Sequence, residues 1–125
     1  MARLLLDSNV FLWWSASRSI LSPDVIDAIA EAEQAAISIV TPWELELKQA
    51  IRKINLPKRL WDFLDEDEFS VIGIELADAL AAARLPLHHR DPFDRMIVAQ
   101  ALARGLTIVT RDGAFGAYGV PILAA

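Results

Sequence analysis

Short apolar runs alternate along the chain with segments of helical periodicity. Leu4 to Leu6 and Ala36 to Val40 have the length and composition of buried strands, as do Val71 to Ile74 and Leu106 to Val109. Val120 to Leu123 is a candidate for a fifth strand. Because buried strands that are separated by helices pair in parallel, the pattern predicts an α/β protein. Its expected architecture is a three-layer α/β/α sandwich around a parallel sheet of four or five strands.

Capping signals place the helices between these strands. Ser22-Pro23 predicts a helix start, with Ser22 as the cap and proline at the first helical position. Thr41-Pro42 predicts a helix that runs to about Lys53, and Asp91-Pro92 predicts one that ends near Gly105. Shorter helices are predicted over residues 60–64 and 75–84.

Composition restricts the class of protein further. The chain has 125 residues, of which 54% are hydrophobic, and this length predicts a single domain over residues 1–125. It contains no cysteine, which excludes disulfides and thiolate metal sites. We find no membrane span and no clear signal peptide, so we expect the protein in the cytoplasm. The net charge of −5 argues against a protein that coats nucleic acid non-specifically.

Acidic residues follow three of the predicted strands. Asp7 comes directly after the first strand, Glu44 shortly after the second and Asp112 shortly after the fourth. A fourth acid, Asp94, lies in the first turn of the helix that precedes the fourth strand. Ligands of open parallel sheets bind beyond the carboxyl ends of the strands, so these positions are candidates for a functional site.

Each of these acids also has a purely structural explanation. Asp7 can cap a short helix, and Glu44 can form a capping box with Thr41. Asp94 occupies a helix position that the dipole favours, and Asp112-Gly113 is a turn signal. Taken one at a time, the acids therefore do not establish a site.

Taken together, the acids predict a metal site. The helix that carries Asp94 is apolar nearly all round, so Asp94 should point inward, toward the sheet. Converging carboxylates repel one another by about 4 kcal/mol per pair at 4 Å and an effective dielectric constant near 20. Divalent cations that prefer oxygen ligands, Mg²⁺ or Mn²⁺, compensate such repulsion, and one or two of them could position a phosphate and activate water.

The ordered set of these motifs resembles the PIN domain, and more narrowly the VapC-type ribonuclease toxins of bacterial toxin–antitoxin pairs. The resemblance covers nearly the whole chain and depends on the order of the motifs. The matching segments are Asp7-Ser8-Asn9-Val10, Trp43-Glu44 with Lys48, Asp91-Pro92-Phe93-Asp94-Arg95 with Ile97 to Ala101, and Thr110-Arg111-Asp112 with Phe115.

The resemblance implies metal-dependent endonucleolytic cleavage of RNA, with Mg²⁺ or Mn²⁺ as cofactor. The four acids of the family fall on Asp7, Glu44, Asp94 and Asp112, which are the predicted catalytic and metal-binding residues. Asp91 is an additional acid that is expected either to cap its helix or to join the site. The family also implies a small cognate antitoxin and a homodimer as partners, but the sequence does not locate either interface.

Several basic residues lie close to the acids in sequence. Lys48, Arg95 and Arg111 are candidates for contacts with RNA phosphates. Lys48 can instead form an i,i+4 ion pair with Glu44, and the arginines can be ordinary surface residues. His88-His89 follows Pro86 in an apparent loop and is expected to be a surface pair.

Two other function classes remain open. A phosphoryl-transfer domain of the receiver or haloacid-dehalogenase type also places an aspartate after its first strand. The haloacid pattern needs a second aspartate two residues later, where this chain has Asn9, and the other receiver signals are not evident. A non-catalytic PIN scaffold that binds a partner or RNA is the second alternative, and the complete acidic set argues against it.

Overall fold

The computed structural model describes residues 2–125 and contains one parallel sheet of five strands. The strand order is β3-β2-β1-β4-β5, so the first strand lies at the centre. The strands are β1 (Arg3–Leu6), β2 (Gln34–Ser38), β3 (Ser70–Ile72), β4 (Thr107–Thr110) and β5 (Ile122–Ala124). All four strand pairings are parallel, which confirms the predicted sheet with its fifth strand.

Six α-helices connect these strands within the described part of the chain. They are α1 (Ser8–Ala16), α2 (Pro23–Glu31), α3 (Val40–Ala50), α4 (Asp62–Glu66), α5 (Leu76–Arg84) and α6 (Pro92–Arg104). Two 3₁₀ segments, Arg18–Ile20 and Gly113–Tyr118, complete the connections.

The central strand has a hydrophobic core on each of its faces. Leu4 and Leu6 belong to a cluster that includes the buried apolar residues of α1 and α2. Leu5 belongs to a second cluster that includes Ile97, Val98 and Ala101 of α6. Because successive side chains of a strand point to opposite faces, the apolar run at residues 4–6 contributes to both cores. The arrangement confirms the predicted three-layer α/β/α sandwich.

The helix α3 begins earlier than the sequence predicted. Its first residue is Val40, whose backbone N–H donates to Ser38 Oγ over 3.2 Å. Thr41 therefore lies inside the helix, and the expected Thr41–Glu44 capping box is wrong. The helix ends at Ala50 rather than near Lys53, and Arg52 beyond it adopts a positive φ of 61°.

The topology also marks where a ligand should bind. The chain builds the sheet outward from β1 to β2 and β3, then crosses to β4 on the other side of β1. The order of the strands thus reverses between β1 and β4. In open parallel sheets, ligand sites lie at such a reversal, beyond the carboxyl ends of the two strands. Asp7 follows β1 at this point, and Asp112 follows β4.

Candidate active site

A polar pocket of about 130 Å³ opens at the carboxyl ends of β1 and β4. The four predicted acids all line it, together with Asp91 and the predicted phosphate contact Lys48. The complete lining is Asp7, Ser8, Asn9, Glu44, Lys48, Asp91, Asp94, Asp112 and Phe115. Residues that lie more than 100 positions apart in the sequence therefore share one cavity.

Asp7 is fixed by two hydrogen bonds at the start of α1. Its Oδ1 accepts from the backbone N–H of Val10 over 2.8 Å, which is the capping role expected from the sequence. Its Oδ2 accepts from Thr110 Oγ1 over 2.5 Å. Asp7 is 7% exposed, and burial raises its pKa although both hydrogen bonds lower it. The residue is a helix cap and a member of the pocket at the same time.

Glu44 enters the pocket from α3. It is buried, and its Oε1 accepts a hydrogen bond from Ser8 Oγ over 2.7 Å. Ser8 Oγ also lies 3.0 Å from Thr41 Oγ1. The Thr41 hydroxyl, which does not cap α3, therefore supports the hydrogen bond between Ser8 and Glu44. Lys48 Nζ lies 3.1 Å from Glu44 Oε2, which is the i,i+4 ion pair that the sequence left as the alternative to a phosphate contact.

Asp94 has the most perturbed carboxyl group of the site. Its pKa is raised to about 7, chiefly by burial and next by the neighbouring carboxylate of Asp91. The charges of Glu44 and Asp7 act in the same direction, while His89 opposes them. A carboxyl group that is destabilised by burial and by three other acids is one that a cation would stabilise.

Asp112 lies on the more exposed side of the pocket. Its Oδ1 accepts from the backbone N–H of Ala114 over 2.9 Å, and this hydrogen bond lowers its pKa. Its own backbone N–H donates to Thr110 Oγ1 over 3.0 Å. Thr110 thus connects Asp7 with Asp112, a role that its place in the Thr110-Arg111-Asp112 segment did not predict.

His89 also belongs to the site, so its expected role as a surface residue is wrong. Its Nε2 lies 3.0 Å from Asp94 Oδ2 and 2.9 Å from Asp112 Oδ2. Only 18% of its side chain is exposed, whereas His88 is an exposed residue. Its position in the sequence, two residues before Asp91, was the one signal that could have indicated this.

Asp91 combines two features that the sequence left as alternatives. Its Oδ1 accepts from the backbone N–H groups of Phe93 over 2.8 Å and of Asp94 over 3.2 Å, so it caps α6. It also lines the pocket. Capping occupies one of its two carboxylate oxygens, and a role in the chemistry stays a prediction.

The two arginines do not reach the pocket. Both nitrogens at the end of the Arg95 guanidinium donate to backbone carbonyls, among them those of Ala82 and Leu85. Arg95 is buried, so the prediction that it contacts phosphate is wrong. Arg111 donates to the carbonyls of Ala125 and Ile20, and its guanidinium lies over the ring of Trp13 at 4.7 Å.

The donor set of the pocket fits a divalent cation. Five carboxyl groups and one ammonium group line it, so its lining carries an excess of negative charge. Carboxylate oxygens are the ligands that Mg²⁺ and Mn²⁺ prefer. Asp7, Asp94, Asp112 and Glu44 are the residues that would hold such an ion, directly or through water.

The fold and the pocket together define an open parallel α/β protein with a carboxylate site where the order of its strands reverses. Comparison with known proteins identifies its family. The family profile described as PIN domain matches residues 4–120. Ribonuclease VapC22 of Mycobacterium tuberculosis is 33% identical over 115 residues, which are 90% of this chain and 88% of that protein. The chain therefore belongs to the PIN domain family.

Solved structures share the fold over the whole chain. FitAcB from Neisseria gonorrhoeae is 24% identical with a TM-score of 0.67, and the alignment covers 97% of this chain and 96% of that one. DNA-bound VapBC from Salmonella typhimurium is 20% identical with a TM-score of 0.72, and 98% of each chain is covered. These similarities confirm the PIN-like α/β fold, and the family membership favours the nuclease hypothesis over a phosphoryl-transfer domain.

Among residues 2–125, no helix is long and apolar enough to cross a membrane.

Proposed function

We propose that this protein is a metal-dependent endoribonuclease and the toxin of a toxin–antitoxin pair. It cleaves cellular RNA in the cytoplasm and thereby arrests translation or growth. One observation carries this proposal. Four acids converge on one pocket where the strand order reverses between β1 and β4: Asp7, Glu44, Asp94 and Asp112. Support comes from the 33% identity to a ribonuclease and from solved relatives that include a toxin–antitoxin complex from Klebsiella pneumoniae.

The residues of the pocket have distinct roles in this proposal. Asp7, Asp94 and Asp112 hold one or two Mg²⁺ or Mn²⁺ ions, and Glu44 completes the cluster or orients the attacking water. When bound, the ion lowers the pKa of water and neutralises charge on the phosphate. Ser8 holds the Glu44 carboxylate in place through its 2.7 Å hydrogen bond, so that this group keeps one orientation.

Lys48 is the residue that contacts RNA phosphate in this proposal. It lines the pocket and pairs with Glu44, but 36% of its side chain remains exposed. Because the net charge of the chain is −5, the rest of the molecule repels the negatively charged RNA backbone. We therefore expect RNA binding to depend on the pocket and its cation rather than on a broad basic surface.

The proposed partners are a small cognate antitoxin and a second copy of the chain. The proposal of a protein partner is supported by large apolar side chains on and directly after α3 that remain in contact with solvent. Trp43 is 61% exposed and Leu47 44%, and Ile51, directly after the helix, is 56% exposed. Burial of such residues against another chain is favourable in water.

RNA cleavage by the purified protein, freed of any co-purifying partner, tests the proposed function. A mixed pool of transfer and ribosomal RNA would be incubated with Mg²⁺, with Mn²⁺ or with EDTA. Discrete fragments that need metal and disappear in Asp94→Asn are expected, while Asp27→Asn, an exposed acid on α2, should cleave like the unmodified protein. If the folded protein binds RNA in a metal-dependent way without cleaving it, the non-catalytic scaffold is the better description.

A further inference from the structure

His89 contacts two acids of the pocket, although it is absent from the residues that define the family resemblance. Its Nε2 lies 3.0 Å from Asp94 Oδ2 and 2.9 Å from Asp112 Oδ2. These three side chains offer one imidazole nitrogen and two carboxylate oxygens that all lie within 4.8 Å of one another. The ring therefore contacts one acid from the first turn of α6 and one acid that follows β4.

The loop that carries His89 is held in this position from both sides. The backbone N–H of His89 donates to Tyr118 Oη over 2.7 Å, and its carbonyl accepts from Arg95 Nη1 over 3.0 Å. Its ring meets the ring of Phe115, which is buried, edge to face with centroids 5.6 Å apart. Three side chains from two other elements thus fix the backbone and the ring of His89, which is more than a surface loop requires.

The spacing of the three ligand atoms suits one cation. In near-octahedral coordination at 2.0–2.1 Å, two adjacent ligand atoms lie about 3.0 Å apart. The two distances from Nε2 match this separation. Since all three atoms lie within 4.8 Å of one another, they can serve as ligands of one ion.

We infer that His89 is a metal ligand of this site, together with Asp94 and Asp112, and that it makes the site prefer Mn²⁺ to Mg²⁺. The inference rests on the proposed function, because it takes the pocket to bind a divalent cation. Imidazole nitrogen is a good ligand for transition-metal ions, whereas Mg²⁺ prefers oxygen ligands and water. A histidine at this place therefore changes which ion binds without changing what the acids do.

Pulsed electron paramagnetic resonance of bound Mn²⁺ tests this inference directly. The chain contains two histidines, so tag-free protein with Mn²⁺ bound shows imidazole-nitrogen coupling only from His88 or His89. His88→Gln is the matched control, because it removes the exposed neighbour and leaves the site intact. The coupling is expected in the unmodified protein and in His88→Gln, and it should be lost in His89→Gln. Mn²⁺ affinity in His89→Gln should fall on the order of tenfold, and Mg²⁺ affinity should fall less.

A second measurement makes the test independent of whether His89→Gln folds. Replacing ¹⁴N-histidine by ¹⁵N-histidine in the unmodified protein should change the nitrogen coupling accordingly. Bound Mn²⁺ without imidazole coupling would overturn the inference and leave the nuclease proposal standing, since cleavage does not require a nitrogen ligand. Failure of Mn²⁺ to bind would overturn the inference, and failure of both Mn²⁺ and Mg²⁺ to bind would also overturn the proposed metal dependence.

Discussion

Thr110 Oγ1 donates a hydrogen bond to Asp7 Oδ2 over 2.5 Å, across 103 positions of sequence. The same hydroxyl accepts from the backbone N–H of Asp112 over 3.0 Å. One side chain at the end of β4 therefore holds the carboxylate of the first acid of the pocket and the backbone of the last. The contact forms because β1 and β4 are paired in parallel, so that both strands end at the same edge.

Thr110→Val should uncouple these two acids while keeping the shape of the side chain. Asp7 is buried and would lose a donor, so we expect the free energy of unfolding to fall by about 1–3 kcal/mol. Metal affinity should fall as well, since only the hydrogen bond from Val10 N–H would still orient the Asp7 carboxylate. Urea unfolding and metal titration measure the two effects. Thr107→Val, at the start of the same strand, is the control, and equal effects from both variants would contradict this role of Thr110.

Asp94 makes the metal-free protein less stable as the pH rises. Its pKa is raised from 3.8 to about 7, so between these values the folded state keeps a proton that the unfolded state loses. The free energy of unfolding therefore falls through this range, and Asp94→Asn should be more stable than the unmodified protein at pH 8 but not at pH 4. Thermal unfolding in EDTA across this range checks the prediction.

Asp112→Asn is expected to show the opposite sign, and it serves as the control for Asp94→Asn. The pKa of Asp112 is lowered, first by the backbone N–H of Ala114, so its charge stabilises the folded state above about pH 4. This variant should lose stability at neutral pH and match the unmodified protein in acid. Identical pH profiles for the two variants would show that the acids are not in the environments described above.

Arg95 should act on folding and not on RNA binding. Its guanidinium donates to the carbonyls of residues 82, 83, 85, 86 and 89, and Arg95→Met would leave them without these donors. We expect a loss of about 2–4 kcal/mol in the free energy of unfolding. Chemical denaturation measures it, with Arg84→Met at the exposed end of α5 as the control. A stable Arg95→Met protein with weakened RNA binding would contradict this account.

Lys48 should act on RNA binding. If its ammonium group contacts one phosphate, Lys48→Met reduces the slope of log K against log salt by about 0.7. The measurement uses a single-stranded RNA and an Asp94→Asn background, so that binding is observed without cleavage. Lys53→Met, which removes an exposed lysine beyond the end of α3, should leave the slope nearly unchanged. An unchanged slope in Lys48→Met would show that Lys48 contacts no phosphate and only forms its ion pair with Glu44.

The fold and the acidic set followed from local rules. Apolar runs such as Leu4 to Leu6 identify buried strands, and an acid at a strand end identifies the functional edge of a parallel sheet. The five-stranded sheet and the meeting of Asp7 with Asp112 at one pocket agree with these rules. Such features can be predicted because each depends on residues that are close together in the sequence.

The remaining parts of the site depend on contacts between distant segments. His89 reaches Asp94 and Asp112 because Arg95 and Tyr118 hold its loop, and no periodicity in the loop indicates this. The Thr41 hydroxyl supports Ser8 because α3 starts earlier than its capping signal suggests. The buried role of Arg95 was missed for the same reason, since its acceptors are carbonyls of a preceding helix end and loop.

Cleavage of RNA by Glu44→Gln and Glu46→Gln tests the central claim most directly. The two glutamates are two residues apart on α3, but Glu44 is buried in the pocket and Glu46 is exposed. With Mn²⁺ present, Glu44→Gln should lower the cleavage rate on the order of 10²–10³-fold. Glu46→Gln should cleave at nearly the rate of the unmodified protein. Equal rates for the two variants, or cleavage by Glu44→Gln that persists in EDTA, would contradict the assignment of this pocket as a metal-dependent nuclease site.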